Sequence, residues 1–600
     1  MNGFFWRRCC CPSGAVRLLL VMGVTALSGS LTARANDEGL SPATSTHKAS
    51  IVLLNGQFHA MDKERHVWNA VAIQGQTIVA AGSGADVAGW IGTDTQVVDL
   101  HNRMALPGFI DAHIHPVNSA EVMDFCDMKG VNYAKNVLIK RIKSCSASKS
   151  VSESQWLQVI TVSAIGVPLT YHDIDKISVQ QPVVLWGSDG HTAWLNKKGL
   201  EVSGIDRQTL DPTGGRFGRL KNGDPDGVLF DDAMLAIKTP VRDQESVAEL
   251  TRKALHSMSE AGITSLQDAS VTPREMAVYR LLEQRGQLFQ RVLGAQRIDP
   301  RYDADAIERA VRLRAEFAQD ALIRADAVKL FIDGILEYPN QTAAMIKPYL
   351  DRHGHATTNY GADYYQIDEL NRLVVELDRR GFIIHVHAIG DRSVRDLLNA
   401  IELAEDTNGP RLRRHQIAHL EIVDPADLPR MAKLGVLANL QLAWAYPDVW
   451  AVDASLPYLG RQRHKMMYAA NSMKQAGVLL VGGSDWNVSD FEPLEAIQQG
   501  MTRTIPKGLA PENISKKMRV LYKEQILDLD TMLAMYTINA AFALGLDDQV
   551  GSLEIGKKAD IIVLDHDITK LKASEIAATR VVQTIFDGRF VVGNPEPISH

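Results

Sequence analysis

Two stretches of the chain share one pattern, and it limits the fold more than any other feature of the sequence. Val247, Leu250, Ala254, Leu255 and Met258 fall on one helical face, Gly262 follows, and Ile263-Thr264-Ser265-Leu266-Gln267 reads as a strand. Ile367, Leu370, Leu373, Val374 and Leu377 repeat the helical face, Gly381 stops it, and Phe382-Ile383-Ile384-His385-Val386 is again a strand. An apolar stripe at helical period must pack on a partner, and a short, continuously apolar run is a strand covered on both faces. Helix, glycine, buried strand, repeated, predicts βα units around a parallel sheet. Candidate strands end near His113, Asp268, Ala295, Ile332, His387, His419, Leu440 and Asp485. Eight of them predict an α/β fold, a (β/α)8 TIM-like barrel, with a doubly wound open sheet as the competing arrangement.

The flanks have a different texture. From Ala49 to Val98 short β-rich runs alternate with turn residues, as in Ile51-Val52-Leu53-Leu54 before Asn55-Gly56, and the same texture returns from Gly551 to Asp565 and from Val581 to Val592. Either set alone makes a marginal sheet, so the two chain ends are expected to pair into one small β-sandwich. The expected organisation is a signal peptide at 1–35, a linker at 36–48, sandwich at 49–105, barrel at 106–545 with an insertion at 117–245 after the first strand, and the rest of the sandwich at 546–600. The leader rests on Arg7 and Arg8 ahead of an apolar run from Val16 to Val24, with Ala33-Arg34-Ala35 as a small-x-small cleavage site. An uncleaved anchor is the alternative for that segment, and no later segment is long and apolar enough to span a bilayer. The chain is therefore expected to be exported, periplasmic or secreted. Of its cysteines, Cys9, Cys10 and Cys11 fall in the leader, which leaves Cys126 and Cys145 able to pair in an oxidising compartment.

A net charge of -7 over 600 residues, with 22% charged residues, offers no basic patch for nucleic acid or, once the leader is removed, for an anionic membrane. Small neutral or basic molecules remain as substrates, and homo-oligomerisation stays open.

Ligand-type residues gather at the ends of the proposed strands, which in a parallel barrel face one site. His113 and His115 close the first strand, and the two-residue period of a strand points both to one side. Of the other His-x-His pairs, His353 and His355 lie in a polar loop, whereas His385-Val386-His387 ends a strand. His419 ends Gln416-Ile417-Ala418-His419, and Asp485 follows Leu479-Leu480-Val481-Gly482-Gly483-Ser484. Singly, these are as easily core histidines or an N-cap aspartate. Together they suit a divalent ion, Zn2+ first, with a position left for water. Coordination lowers the pKa of that water to about 7 and the ion polarises a carbonyl oxygen. Asp485 would take the proton from water and pass it to a leaving nitrogen, which makes the predicted chemistry hydrolysis. Lys329 sits inside the apolar run Ala327-Val328-Lys329-Leu330-Phe331-Ile332, where an uncompensated ammonium is costly. It needs a carboxylate partner, Asp268 or Asp333, or carbon dioxide added to its neutral amine as a carbamate, which would bridge two metal ions.

In this order the stretches resemble the amidohydrolase superfamily, and within it amidohydrolase family 3. The matching segments are Leu106-Pro107-Gly108-Phe109-Ile110-Asp111-Ala112-His113-Ile114-His115-Pro116, Asp189-Gly190-His191-Thr192-Ala193-Trp194, Val328-Lys329-Leu330-Phe331-Ile332-Asp333-Gly334, His387-Ala388-Ile389-Gly390-Asp391, Ala418-His419-Leu420-Glu421, Gly483-Ser484-Asp485-Trp486 and Gly551 to Asp565. The resemblance implies a metal-dependent hydrolase of non-peptide C-N bonds, with one or two metals held by His113, His115, a carboxylated Lys329, His387, His419 and Asp485. His387 is preferred to His385 because it is the one joined to Ala388-Ile389-Gly390-Asp391. It also implies His191 and Trp194 as substrate contacts, with a structural turn and a packed Trp as the alternative. Two departures bear on substrate preference: Asn487 follows Trp486 where the family commonly has proline, and Ile335-Leu336-Glu337-Tyr338 replaces smaller residues, so Trp486 and Glu337 join the expected substrate contacts. The expected substrate is an N-acyl, N-formyl or cyclic amide small molecule. A deaminase, a carbamate or ester hydrolase, or a non-catalytic exported binding protein are the alternatives.

Overall fold

The computed structural model describes residues 48–149, 155–163, 168–299 and 305–594, so the leader and nearly all of the linker lie outside the described residues. Eight strands form one sheet in chain order: β1 (Phe109–Ile114), β2 (Ile263–Val271), β3 (Arg291–Arg297), β4 (Ile323–Phe331), β5 (Ile383–Ala388), β6 (Gln416–His419), β7 (Leu437–Leu440) and β8 (Leu480–Gly482). Every ladder in it is parallel. The protein is therefore an α/β fold with a nearly closed eight-stranded parallel barrel. The two diagnostic stretches follow the pattern that predicted them. Helices Gln244–Glu260 and Ile367–Arg379 bury their apolar faces, and Gly262 and Gly381 take φ of 85° and 78°, which only glycine adopts cheaply. Ile367 departs from the expected face: as the first helical residue it is 50% exposed.

The two edge strands of the sheet, β8 and β1, meet without a ladder. The Asp485 N–H donates to the His113 carbonyl at 2.6 Å, and the Asn439 amide donates to the Ala112 carbonyl at 2.9 Å. A Cβ on Gly483 would stand 2.6 Å from the His113 Cβ, so the strands come this close only because residue 483 has no side chain.

Outside the barrel, strands from both chain ends share a six-stranded sheet in which Met104–Pro107 lies between Ile561–Leu564 and Gln57–His59. A four-stranded sheet built from residues 51–99 contributes to the same apolar core, where Leu53, Ile73 and Val98 join Ile561, Val563 and Ile585. Between β1 and β2 the chain forms another six-stranded sheet, from Cys126–Asp127 to Pro225–Asp231. Cys126 and Cys145 are bonded there, with Cα atoms 5.9 Å apart, and tie the edge strand to helix Lys135–Lys149. No helix among the described residues is long and apolar enough to cross a membrane.

One buried charge fixes the strands that carry two of the candidate residues. Asp378 is inaccessible and accepts from Arg413 at 2.8 Å, Asn408 at 2.8 Å and His415 Nε2 at 3.0 Å. His415 in turn accepts the Ile384 N–H at 3.1 Å, which links the approach to β6 with β5. Burial disfavours the Asp378 carboxylate, but these donors override it and hold its pKa well below the ordinary 3.8. A depressed folded-state pKa gives stability that is present above 3.8 and is lost only at lower pH. Asp378→Asn strands Arg413 without its counter-ion and is expected to cost about 3–5 kcal/mol in urea denaturation at neutral pH. The gap to wild type should narrow only once the pH falls below 3.8.

Candidate metal centre and its cavity

The closure of the barrel puts three donor side chains together. His115 Nε2 lies 3.0 Å from Asp485 Oδ1 and His113 Nε2 lies 3.4 Å from it. The donor atoms of His113, His115 and Asp485 all fall within 4.8 Å of one another. Two ligands of a tetrahedral ion with bonds of about 2.1 Å stand about 3.4 Å apart, so the spacing suits one divalent cation. Asp485 takes φ of 56° and His419 φ of 77°, left-handed values for non-glycine residues at the ends of β8 and β6. Such backbone costs about 1–3 kcal/mol per residue and tends to collect at functional sites.

Beneath the donors runs a layer of buried polar side chains. His385 Nε2 is 2.9 Å from His113 Nδ1, which leaves the His113 Nε2 for the site. His385 is held by Gln416, and Gln416 by Asn439 and Gln267. Asp111 accepts the N–H groups of both His113 and Ser484 at 3.1 Å, joining β1 to the loop that carries Asp485. His387 Nε2 donates to the Gly334 carbonyl at 3.0 Å, so Nδ1 keeps the free lone pair. The buried Nδ1 of His419 has no partner among the described residues, as a ligand atom awaiting an ion would.

Electrostatics favour the ligand form of these groups. Burial, with Lys329 nearby, pushes His113 down to about 3. Burial likewise holds His387 and His419 well below the usual imidazole range, so all three are neutral at physiological pH. Burial opposes ionisation of Asp485, but His113 and His115 override it and keep the carboxylate charged. Lys329 is fully buried and pushed down to about 7 by that burial. Neither expected partner of Lys329 is realised. Asp333 is committed to the N–H groups of Ala344, Ile389 and Gly390 and the Ser393 hydroxyl, and Asp268 to the Tyr279 hydroxyl at 2.8 Å.

His113, His115, Lys329, His387, His419 and Asp485 line one cavity of about 430 Å3, together with His191 and Glu337. His191 is 2.7 Å from Asp231, which outweighs the effect of burial and raises its pKa. Two of the expected substrate contacts do not reach this space. Trp194 packs in the apolar core of the inserted sheet and is 3% exposed. Trp486 turns edge-on against Phe491, and only its backbone carbonyl serves the site, by accepting the His115 N–H. His385 is buried beneath His113 and His353 and His355 are exposed on a loop. The cavity also holds residues that sequence reasoning passed over: Glu421, Tyr446, Asp448 and Tyr468. For Glu421 there was a signal, because it stands two residues beyond His419. Asp448 sits in the segment after β7, where no periodicity foretells which way a side chain turns.

Comparison with known proteins agrees with this architecture. The model of the amidohydrolase family matches residues 96–592. An N-substituted formamide deformylase from Arthrobacter pascens is 26% identical over 565 residues, covering 90% of this chain and 98% of that one. The protein LONG AFTER FAR-RED 3 of Arabidopsis thaliana is 28% identical over 561 residues, covering 90% and 91%. Among solved structures, an uncharacterized metal-dependent hydrolase from Pyrococcus horikoshii OT3 superposes with a TM-score of 0.68 at 22% identity, covering 88% of this chain and 99% of that one.

The donor geometry makes a direct prediction for metal content. Wild-type protein is expected to retain a divalent ion through dialysis, and His113→Ala and Asp485→Asn to release it, as read by elemental analysis. His385→Ala, which removes only the support under His113, should weaken metal affinity by about 10–100-fold.

Proposed function

Because this chain belongs to the amidohydrolase family, we propose that it is a metal-dependent hydrolase that cleaves the C-N bond of a small N-formyl or N-acyl compound. The observation that carries the reading is the cluster of His113, His115 and Asp485, whose donor atoms lie within 4.8 Å of one another at the mouth of the barrel. Hydrolysis of C-N bonds follows from the family, and the narrower choice of an N-formyl or N-acyl bond is supported by the similarity to a formamide deformylase. A bound divalent ion, Zn2+ by its donor set, would supply Lewis acidity and an acidified water at this point.

The protein's own residues account for the rest. Neutral His113, His387 and His419 present lone pairs without a competing proton. Asp485 is ionised and buried, which suits it to accept a proton from water and deliver it to the departing nitrogen. His191 stands across the cavity, its ring 5.7 Å from that of His387, and can donate to a substrate oxygen. Lys329, pushed down to about 7 by burial and with no carboxylate partner within ion-pair distance among the described residues, can lose its proton readily. Its free amine can attack carbon dioxide and lose a proton, leaving a carbamate suited to a second ion. A deaminase and a carbamate or ester hydrolase share the same donor chemistry. We read the chain as exported, in keeping with the leader and with the bonded Cys126 and Cys145, which suit an oxidising compartment.

With Zn2+ or Mn2+ supplied, the purified protein is expected to release formate or another carboxylate from an N-substituted amide panel. Asp485→Asn should lower kcat by about 100-fold or more. Ammonia released from amino-heterocycles without carboxylate would overturn the amide reading, and metal-independent binding without turnover would favour a binding protein. For export and the carbamate, intact mass of the secreted protein should show residues 1–35 removed, and electron density should extend Lys329 by a carboxylate. Its occupancy should rise as the pH rises through about 7, because only the deprotonated amine reacts.

A further inference from the structure

Part of the cavity lining is acidic and aromatic. Glu337, Glu421 and Asp448 line it, and Tyr446, Trp450 and Tyr468 stand among them. The proposed hydrolysis uses none of these six residues. Glu421 is 4% exposed, faces the cavity, and its Oε2 has no hydrogen-bond partner among the described residues. The charges that bear on it most are Glu337, Asp333 and Asp448, all of its own sign. The buried Nε1 of Trp444, on the same cavity, is likewise unpartnered. An unpaired buried carboxylate such as that of Glu421 is costly, and with Glu337 and Asp448 on the same space it becomes tolerable when a cation occupies it.

Among the described residues two lysines, Lys129 and Lys329, line the cavity. Lys129 is paired with Asp127 at 2.6 Å, and the charge that favours Lys329 is that of Asp485. No arginine is among the described residues lining the cavity, and His191, whose pKa is raised, is held by Asp231 at 2.7 Å. Aromatic faces beside the carboxylates add cation-π attraction, which is strongest for alkylated ammonium groups.

We propose that Glu337, Glu421 and Asp448, with the rings of Tyr446, Trp450 and Tyr468, form a subsite for an organic ammonium group carried by the substrate. The scissile bond would lie at His113, His115 and Asp485 while a protonated amine or quaternary ammonium seats against the acidic wall. The proposal names the substrate class of the same cavity and rests on the hydrolase reading only in that both groups belong to one molecule.

Calorimetric titration tests it without turnover. Choline is compared with its neutral carbon isostere, in which a tert-butyl group replaces trimethylammonium; the quaternary nitrogen has no lone pair with which to ligate a metal. Wild type is expected to bind choline at least about tenfold more tightly than the isostere. Glu421→Gln and Glu337→Gln, which keep side-chain volume, should each lower that preference about tenfold, and thermal melts of both variants establish that each is folded. Asp448→Asn serves as a third variant where either fails to fold. Equal binding of the two probes by wild type, or a preference unchanged in every folded variant, overturns the subsite. Amide hydrolysis with no cation preference sinks the subsite alone, and cation preference without hydrolysis of any amide sinks the hydrolase reading alone.

Discussion

The hydrogen bond from the Asp485 N–H to the His113 carbonyl is the contact on which the site depends. It brings the last strand of the barrel to the first, and so makes neighbours of residues 372 positions apart in the chain. Three local features permit it. Gly483 lets the backbones approach, Asp111 ties the N–H groups of His113 and Ser484 to one carboxylate, and Asp485 accepts a left-handed conformation that turns its carboxylate toward the histidines. Each is locally unfavourable or restrictive, and the parallel ladders of the other strands supply the rigidity that holds them.

The floor of the site is polar where a barrel would otherwise be filled with aliphatic layers. Gln267, His385, Gln416, Asn439 and Gln441 are all buried and linked, ending at the His113 ring and the His419 N–H. Such a network contributes less to stability than close-packed valine and leucine, but it sets ring orientation and decides which nitrogen faces the cavity. Beneath β5 and β6 the Asp378 network does similar work on the backbone, where His415 bridges the carboxylate and the Ile384 N–H.

The barrel was legible because helical period, glycine stop and buried strand are local properties, written within some twenty residues each. So were the strand-end positions of His113, His115, His387, His419 and Asp485, since the two-residue period fixes which side chains share a face. The environment of Lys329 was half legible. The cost of its burial followed from the apolar run, but Asp268 and Asp333 were drawn off by Tyr279 and by the turn at Ile389 and Gly390, partners that arrive through tertiary packing. Trp194 and Trp486 show what a motif leaves open. A motif fixes which residue stands at a position, whereas the face a side chain takes follows from the register of the inserted sheet and from Phe491.

Charge separates the two halves of the cavity. On the metal side His113, His387 and His419 are neutral and the Asp485 carboxylate is ionised, which equips that side to hold a cation of its own. Glu337 is pushed up to about 7 by burial and by Asp189, and Asp448 to about 7 by burial and by Glu337. A positive group entering there would stabilise their ionised forms and lower both pKa values. Ile335-Leu336-Glu337-Tyr338 is also the segment in which the sequence departs from the smaller residues expected after Gly334. That segment places Glu337 in the cavity that Glu421 and Asp448 also line.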